Sequence, residues 1–292
     1  MDYIQALENA IVYIETHFGE GITVEDVARA AGYSYYHLTR QFFAILGENV
    51  GSYIKSRRLA DGAKKLLYTN KRIIDIAMEN GFDSSEAFSR AFKAVYQVSP
   101  SLYRKNRLDL LISAKEGLAP KLLRHRVQNI TVHPKIVELP AIQVAGLRGQ
   151  TTLRDNILPQ IWTQSNAVVG SIPNRKAGGR GFGICEACNE GNTIYSMNDN
   201  VLFSEVVAIE VNGLAGLPEP FVAKTLKAGR YAVFTHKGSL ALLKETFDYI
   251  WGTWFLGTPK KLDCREDFEL YDERFLGYDH PDSQIELYIP IC

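Results

Sequence analysis

The stretch IIDIAMENGFDSSEAFSRAFKAVY at 73–96 decides how the front of this chain folds, and ITVEDVARAAGYSYYHLTRQFF at 22–43 repeats its plan. Each reads as a short helix, a glycine turn and a second helix that follows a serine. In the first copy Thr23 is the predicted cap of a helix with Val24, Val27 and Ala28 at helical spacing, and Gly32 ends it. Ser34 caps the next helix, whose inner stripe is Leu38, Phe42 and Ile45, leaving Tyr35, Tyr36, Thr39 and Arg40 on flanking or solvent positions. In the second copy Ile73, Ile76 and Ala77 line the first helix, Gly81 ends it, and Ser84 caps the next. Phe88, Phe92 and Val95 form that helix's inner stripe; Ser85, Glu86, Ser89 and Arg90 stay outside.

Two tightly joined helices, the second presenting arginine and small polar groups, suit the major groove of double-stranded DNA, where arginine grips guanine O6 and N7 with two hydrogen bonds. GSYIKSRRLADGAKKLLYT at 51–69 joins the copies and reads as one helix with Ile54, Leu59, Ala63, Leu66 and Leu67 inward. Its length of about 27 Å can hold two reading helices one DNA turn apart, on the order of 34 Å. A monomer then suffices for a two-groove grip.

Residues 4–107 resemble the DNA-binding domain of AraC/XylS transcription regulators. Ile76, Ala77, Gly81, Phe82, Ser84, Phe88, Arg90, Phe92, Lys93, Pro100, Tyr103 and Arg104 fall on that family's signature. Gln97 stands where the signature often has glycine, which predicts a looser turn before Ser99 and Pro100. The resemblance implies base-contacting positions at Tyr36, Thr39 and Arg40 in the first reader and Ser85, Glu86 and Arg90 in the second. It also implies activation more than repression, with RNA polymerase as a protein partner.

Charge is distributed to match. The chain carries 33 Lys plus Arg against 33 Asp plus Glu, yet residues 40–107 hold thirteen basic and six acidic side chains. Lys55, Arg57, Arg58, Lys64, Lys65, Lys71, Arg72, Lys93, Arg104, Lys105 and Arg107 are the predicted phosphate contacts. Any one of these lysines alone reads as a solvated helix face.

At 292 residues the chain has room for a second domain. Residues 1–108 read as an all-α double helix-turn-helix domain, 109–130 as a linker and 131–292 as an α+β domain. Beyond the linker, KIVELPAIQVAGLRG (135–149) and TLKAGRYAVFTHKG (225–238) each read as a strand–turn–strand hairpin leading to a helix. The first helix, roughly 154–169, has Ile157, Ile161 and Val168 inward; the second carries Leu240, Leu243, Phe247, Ile250 or Trp251, and Trp254 at helical spacing. RGFGICEA and LFSEVVAIEV close one half, EDFELYDERF and SQIELYIPI the other, giving two antiparallel-sheet repeats with outer helices.

AGRYAVFTHKGS, DFELYDER and IELYIPI make 131–292 resemble the GyrI-like effector-binding domains. Strand alternation sets Glu269 beside Tyr271 and Glu286 beside Tyr288, with Phe268, Leu270, Ile285 and Leu287 facing the other way. Were that face to line a cleft with Trp162 and Tyr231, it would suit a lipophilic cation or a flat organic molecule. The competing reading is the solvated face of an antiparallel sheet. The resemblance favours the pocket and implies Glu269, Tyr271, Glu286 and Tyr288 as ligands of a small-molecule effector, with Trp162 and Tyr231 the aromatic neighbours expected in the cleft.

Cys185 and Cys188 have the spacing of a zinc half-site or a redox pair, but no second pair follows at metal-ligand distance, so no metal and no cofactor are expected. The first residues carry no secretory signal and no apolar run nears eighteen residues; a cytoplasmic, non-membrane protein with thiols is the expectation. None of the six histidines has an evident nucleophile partner, which argues against an enzyme. Two alternatives remain open for the rear domain: a small-molecule hydrolase and a protein-interaction module.

Overall fold

The computed structural model describes residues 3–108, 115, 117–152, 154–186 and 201–292. The chain forms two compact units, one of Met1–Gln128 with Lys244–Thr258, the other of Asn129–Leu243 with Pro259–Cys292. Part of the predicted linker, 109–114 and 116, lies outside the described residues, as does Cys188.

The first unit opens with seven helices: α1 (Tyr3–His17), α2 (Val24–Ala30), α3 (Tyr35–Leu46), α4 (Val50–Tyr68), α5 (Ile73–Glu79), α6 (Ser85–Tyr96) and α7 (Pro100–Asn106); α8 (Pro120–Asn129) forms from the end of the predicted linker. Local chemistry sets their ends. The Thr23 hydroxyl accepts from the N–H of Asp26 while the Asp26 carboxylate accepts from the N–H of Thr23, a reciprocal box that starts α2. Ser34 and Ser84 accept from the N–H groups of His37 and Ala87 and start the two predicted readers, α3 and α6. Gly32 and Gly81 turn each helix pair with φ of +71° and +68°, values that side-chain-bearing residues rarely adopt.

Leu38, Phe42, Phe88 and Phe92 are buried as predicted, but the third buried residue of each reader is Leu46 or Tyr96, with Ile45 and Val95 half-buried. Each reader packs along its i, i+4, i+8 ridge, and the stripe follows the ridge. Both α3 and α6 pack on α4, which at 19 residues is about 28 Å long. The contact with α6 is close because Gly62 has no side chain; a Cβ there would lie 2.8 Å from the Phe88 ring. The turn at Gln97 is no looser than a glycine turn. Gln97 takes φ 60° and ψ 4°, matching Gly47 at 71° and 7°, and its side-chain amide donates to the Ala94 carbonyl.

The second unit is built on one eight-stranded antiparallel sheet. Its strands are β1 (Lys135–Leu139), β2 (Ile142–Thr151), β3 (Gly181–Cys185), β4 (Phe203–Glu210), β5 (Val222–Leu226), β6 (Gly229–Lys237), β7 (Asp267–Tyr271) and β8 (Gln284–Pro290), in the order β1-β6-β8-β7-β3-β4-β2-β5. The two repeats are present and meet where β3 pairs with β7. The predicted hairpins are not. β1 pairs with β6 of the second repeat and β5 with β2 of the first, so each repeat gives its opening strand to the other. A two-residue hairpin turn needs positive φ at its centre, which Pro140-Ala141 and Lys227-Ala228 do not supply.

One sheet face carries an apolar core that includes Val144, Phe182, Ile184, Val206, Tyr231, Val233, Phe268, Leu270 and Tyr288. The other receives α9 (Leu158–Val168), which packs on β2 and β4. The inward stripe of α9 is Ile161 and Ser165, whereas the predicted Ile157 and Val168 are exposed. Gly149 accommodates Ile161, and the Ser165 hydroxyl donates to the Val207 carbonyl, so a small polar residue sits inside at no unpaired cost. The helix of the second repeat runs as α10 (Leu243–Tyr249), a π turn (Ile250–Trp254) and α11 (Phe255–Gly257). Its buried residues are Thr246, Tyr249, Ile250, Gly252 and Thr253, while Leu243, Phe247, Trp251 and Trp254 are half-buried. The wider π turn breaks the 3.6-residue period from which the stripe was read.

Candidate functional site

The predicted DNA readers lie on the surface of the first unit. Tyr36 is 79% exposed, Arg40, Glu86 and Arg90 are exposed, and Thr39 and Ser85 are half-buried. Thr39 donates its hydroxyl proton to the Tyr35 carbonyl, leaving an oxygen that accepts. Glu86 is engaged at the start of α6. Hydrogen bonds from its own N–H and from the hydroxyls of Ser85 and Ser84 hold its carboxyl below the usual range. Its geometry is that of a helix-start carboxylate, and Arg90 is the exposed long side chain one turn further along α6.

The basic set divides in two. Arg57 donates to both oxygens of Glu15 at 2.8 and 2.9 Å and to the Lys115 carbonyl. Arg58 donates to the Phe18 carbonyl, Arg104 to the Leu66 and Lys71 carbonyls, and Lys65 bridges Asp61 at 2.7 Å and Glu79 at 3.3 Å. These four, read from sequence as phosphate contacts, are fasteners between helices. Lys71 and Arg72 also carry partners, Glu79 and Asp75. Lys55, Lys64, Lys93, Lys105 and Arg107 are exposed.

In the second unit the register overturns the common cleft expected for the two Glu–Tyr pairs. Directly opposed residues of an antiparallel pair share a face. Phe268 opposes Tyr288, and Leu270 opposes Glu286, so Glu286 and Tyr288 lie on the apolar core face. Glu269 opposes Leu287 and lies with Tyr271 on the α9 face. The sheet thus separates the six predicted effector residues: Trp162, Glu269 and Tyr271 on one side, Tyr231, Glu286 and Tyr288 on the other.

The core-face set is occupied with its own structure. Tyr288 stacks on Phe268 at 4.7 Å and donates to Glu286, which also accepts from Arg274. Tyr231 donates to the Lys227 carbonyl beneath the guanidinium of Arg265, 4.5 Å from its ring.

The α9-face set is different in character. Trp162 lies 4.5 Å from Tyr271, ring centre to ring centre, and the Tyr271 hydroxyl donates to Glu269 at 2.5 Å. Two carboxylates that sequence reading missed join them. β3 pairs Gly183 with Glu269 on one side, and Cys185 with Asp267 on one side and Glu205 on the other. A Cβ on Gly183 would lie 2.9 Å from a Glu205 oxygen, 3.1 Å from a Glu269 oxygen and 3.2 Å from the Trp162 indole. Two acids and an aromatic edge converge over a residue with no side chain. Gly181, two residues earlier, likewise leaves that face bare beside Tyr271.

The charges here are poorly solvated. Glu205 is 5% exposed, and burial followed by the neighbouring charges of Glu269 and Asp267 raises its carboxyl well above the usual range. Burial likewise pushes Glu269 up to about 7 against the opposing hydrogen bond from Tyr271, and Asp267 to about 6. No cationic side chain among the described residues enters these shifts. The arrangement can bind a cation with an apolar, flat surface: the acids supply charge, and Trp162 and Tyr271 supply aromatic faces. The sequence signal was present in Gly181-x-Gly183, because glycine repeated on one face of a strand marks close approach by another group.

Residues 135–291 match the family of integron-associated effector binding proteins, and residues 27–106 match the helix-turn-helix domain family. Three relatives are similar over part of the chain. The chain is 38% identical over 106 residues to the right origin-binding protein of Escherichia coli, covering 36% of this chain and 37% of that one. It is 41% identical over 98 residues to the transcriptional activator AarP of Providencia stuartii, covering 34% and 73%. It is 32% identical over 187 residues to the transcriptional regulator BrlR of Pseudomonas aeruginosa, covering 62% and 65%. The match thus spans little more than a third of the right origin-binding protein's length.

Proposed function

We propose that this chain, which belongs to the integron-associated effector-binding protein family through residues 135–291 and carries an AraC-type helix-turn-helix domain ahead of it, is a DNA-binding transcription activator controlled by a lipophilic cation. The observation that carries the reading is the coexistence of two features. Two serine-capped helices present Arg40 and Arg90 from a common support, α4. A separate unit gathers Glu205, Glu269, Trp162 and Tyr271 around Gly183.

On this reading Tyr36, Thr39 and Arg40 read one major-groove segment, and Ser85 and Arg90 read the next with Glu86 fixing the helix start. Lys55, Lys64, Lys93, Lys105 and Arg107 meet phosphates. The effector must favour one state of the regulator by differential affinity, since equal binding to both shifts nothing. RNA polymerase is the protein partner that activation requires. The effector residues are Trp162, Glu205, Glu269 and Tyr271, with Tyr231, Glu286 and Tyr288 serving the core on the opposite face.

The test is a titration of the full chain with tetraphenylphosphonium, followed by heat of binding and by tryptophan fluorescence. The wild-type protein and Glu286→Gln are expected to bind alike, and Glu269→Gln is expected to bind at least tenfold more weakly. Equal losses for both variants would return the effector to the core face.

A further inference from the structure

We infer that Glu205 and Glu269 share a proton while the site is empty and surrender it when a cation enters, so that effector binding is an exchange of one cation for one proton. The inference rests on the cation-site reading above and adds the means by which pH governs it.

The ground is geometric. The two carboxylate oxygens both approach the position of a Cβ on Gly183, at 2.9 and 3.1 Å, and so stand no more than about 6 Å apart. Glu205 is nine-tenths buried and no hydrogen bond to its carboxyl is formed by any described residue, while among the described residues Glu269 accepts from the Tyr271 hydroxyl alone. Two anions this close, in a site walled by Trp162 and Tyr271, repel without a counter-ion. Keeping one proton between them is the least costly empty state.

The described neighbours do not offer an alternative counter-ion. β3 contributes Cys185, β4 contributes Glu205, β7 contributes Asp267, Glu269 and Tyr271, α9 contributes Trp162, and Tyr278 acts on Tyr271 from beyond β7. Glu186 and Glu266 add negative charge nearby, and the cations beside them are already used: Lys224 bridges both, and Arg148 binds Glu186. Burial and mutual repulsion raise Glu205, Glu269 and Asp267 in the same direction. On exchange the proton leaves a carboxyl oxygen for solvent and the cation replaces its charge, so the net charge of the site is unchanged.

The experiment measures the proton itself. Tetraphenylphosphonium is permanently charged and has no acidic hydrogen, so any proton released comes from the protein. Calorimetric titration of the full chain in two buffers of different ionisation heat gives the proton count per cation, and repetition from pH 5 to 8.5 gives the affinity profile.

About one proton released near pH 6, with affinity rising toward tenfold per pH unit and levelling above pH 8, is the expected result. A neutral isostere, triphenylphosphine oxide, should release none. Glu205→Gln should still bind the cation through Glu269 but lose the proton release above pH 6; the wild-type count stands by itself should that variant fold poorly. Cation binding with no proton released and a flat profile would overturn the exchange and leave the cation site standing. Equal proton release by the neutral isostere would also overturn it, and absence of binding at every pH would overturn both.

Discussion

Replacing Arg57 separates two roles that its sequence context does not distinguish. Its side chain is 12% exposed and that of Glu15 is 21% exposed, with a third bond between them at 2.8 Å. Removing one member of a buried ion pair costs about 3–5 kcal/mol, because the remaining charge is left in a poor solvent. Glu15 keeps the Tyr53 hydroxyl at 2.7 Å and some water, which lowers the expected cost of Arg57→Met to roughly 2–3 kcal/mol. At about 3–4 °C per kcal/mol for a unit of this size, its calorimetric transition should fall by roughly 6–12 °C. Glu15→Gln combined with Arg57→Met should cost less than the sum of the two single changes. DNA affinity measured well below that transition should keep its salt slope. An unchanged transition together with a slope shallower by about 0.9 would make Arg57 a phosphate contact and refute the fastening role.

Arg90→Ala should weaken binding to a specific site by about 1–3 kcal/mol and leave random duplex nearly unaffected, whereas Lys105→Ala should weaken both alike and reduce the salt slope by about 0.9; anisotropy titrations at several salt concentrations separate the two. Gly62→Ala drives a methyl into the fully buried Phe88 ring and should cost roughly 1–3 kcal/mol, read as a lower transition and weaker specific binding. Gly183→Ala fills the space shared by Glu205, Glu269 and Trp162 and should abolish tetraphenylphosphonium binding while far-ultraviolet dichroism stays that of the wild type. The sheet unit should lose heat stability as pH rises. A carboxyl raised by folding stabilises fully below its unfolded value and stops doing so as pH passes its folded value, so with Glu269 raised from 4.5 to about 7 the loss falls between roughly pH 4.5 and 7. Glu269→Gln should flatten that decline, and stability rising across the window would contradict the burial of these acids.

What the sequence made legible was whatever is decided within a few residues. Thr23, Ser34 and Ser84 are caps and Gly32 and Gly81 are turns because each acts on its immediate neighbours. Arg57 and Arg104 looked like surface charge because the groups that bind them lie 42 and 38 residues away in the chain. The Glu–Tyr pairs failed for a related reason. Alternation fixes which residues share a face within β7 or within β8, but the parity between the two strands is set by register alone, and a slip of one residue exchanges the faces. Gln97 is a third case: the residue type argued for a looser turn, yet the backbone takes the glycine-like conformation and the side-chain amide donates to the Ala94 carbonyl.

The reciprocal loan of β1 and β5 makes the rear unit a clasp in which neither half can be withdrawn intact. A polypeptide ending in the turn-rich stretch 212–220 would carry β1 with no β6 to receive it, and β2 with one margin bare. Two such fragments could satisfy each other by trading first strands, so the severed half should be recovered as a pair and hardly at all as a single folded chain. The same linkage gives any molecule wedged at the β3–β7 seam a hold on both halves at once, since parting the seam strains two polypeptide crossings as well as one row of hydrogen bonds.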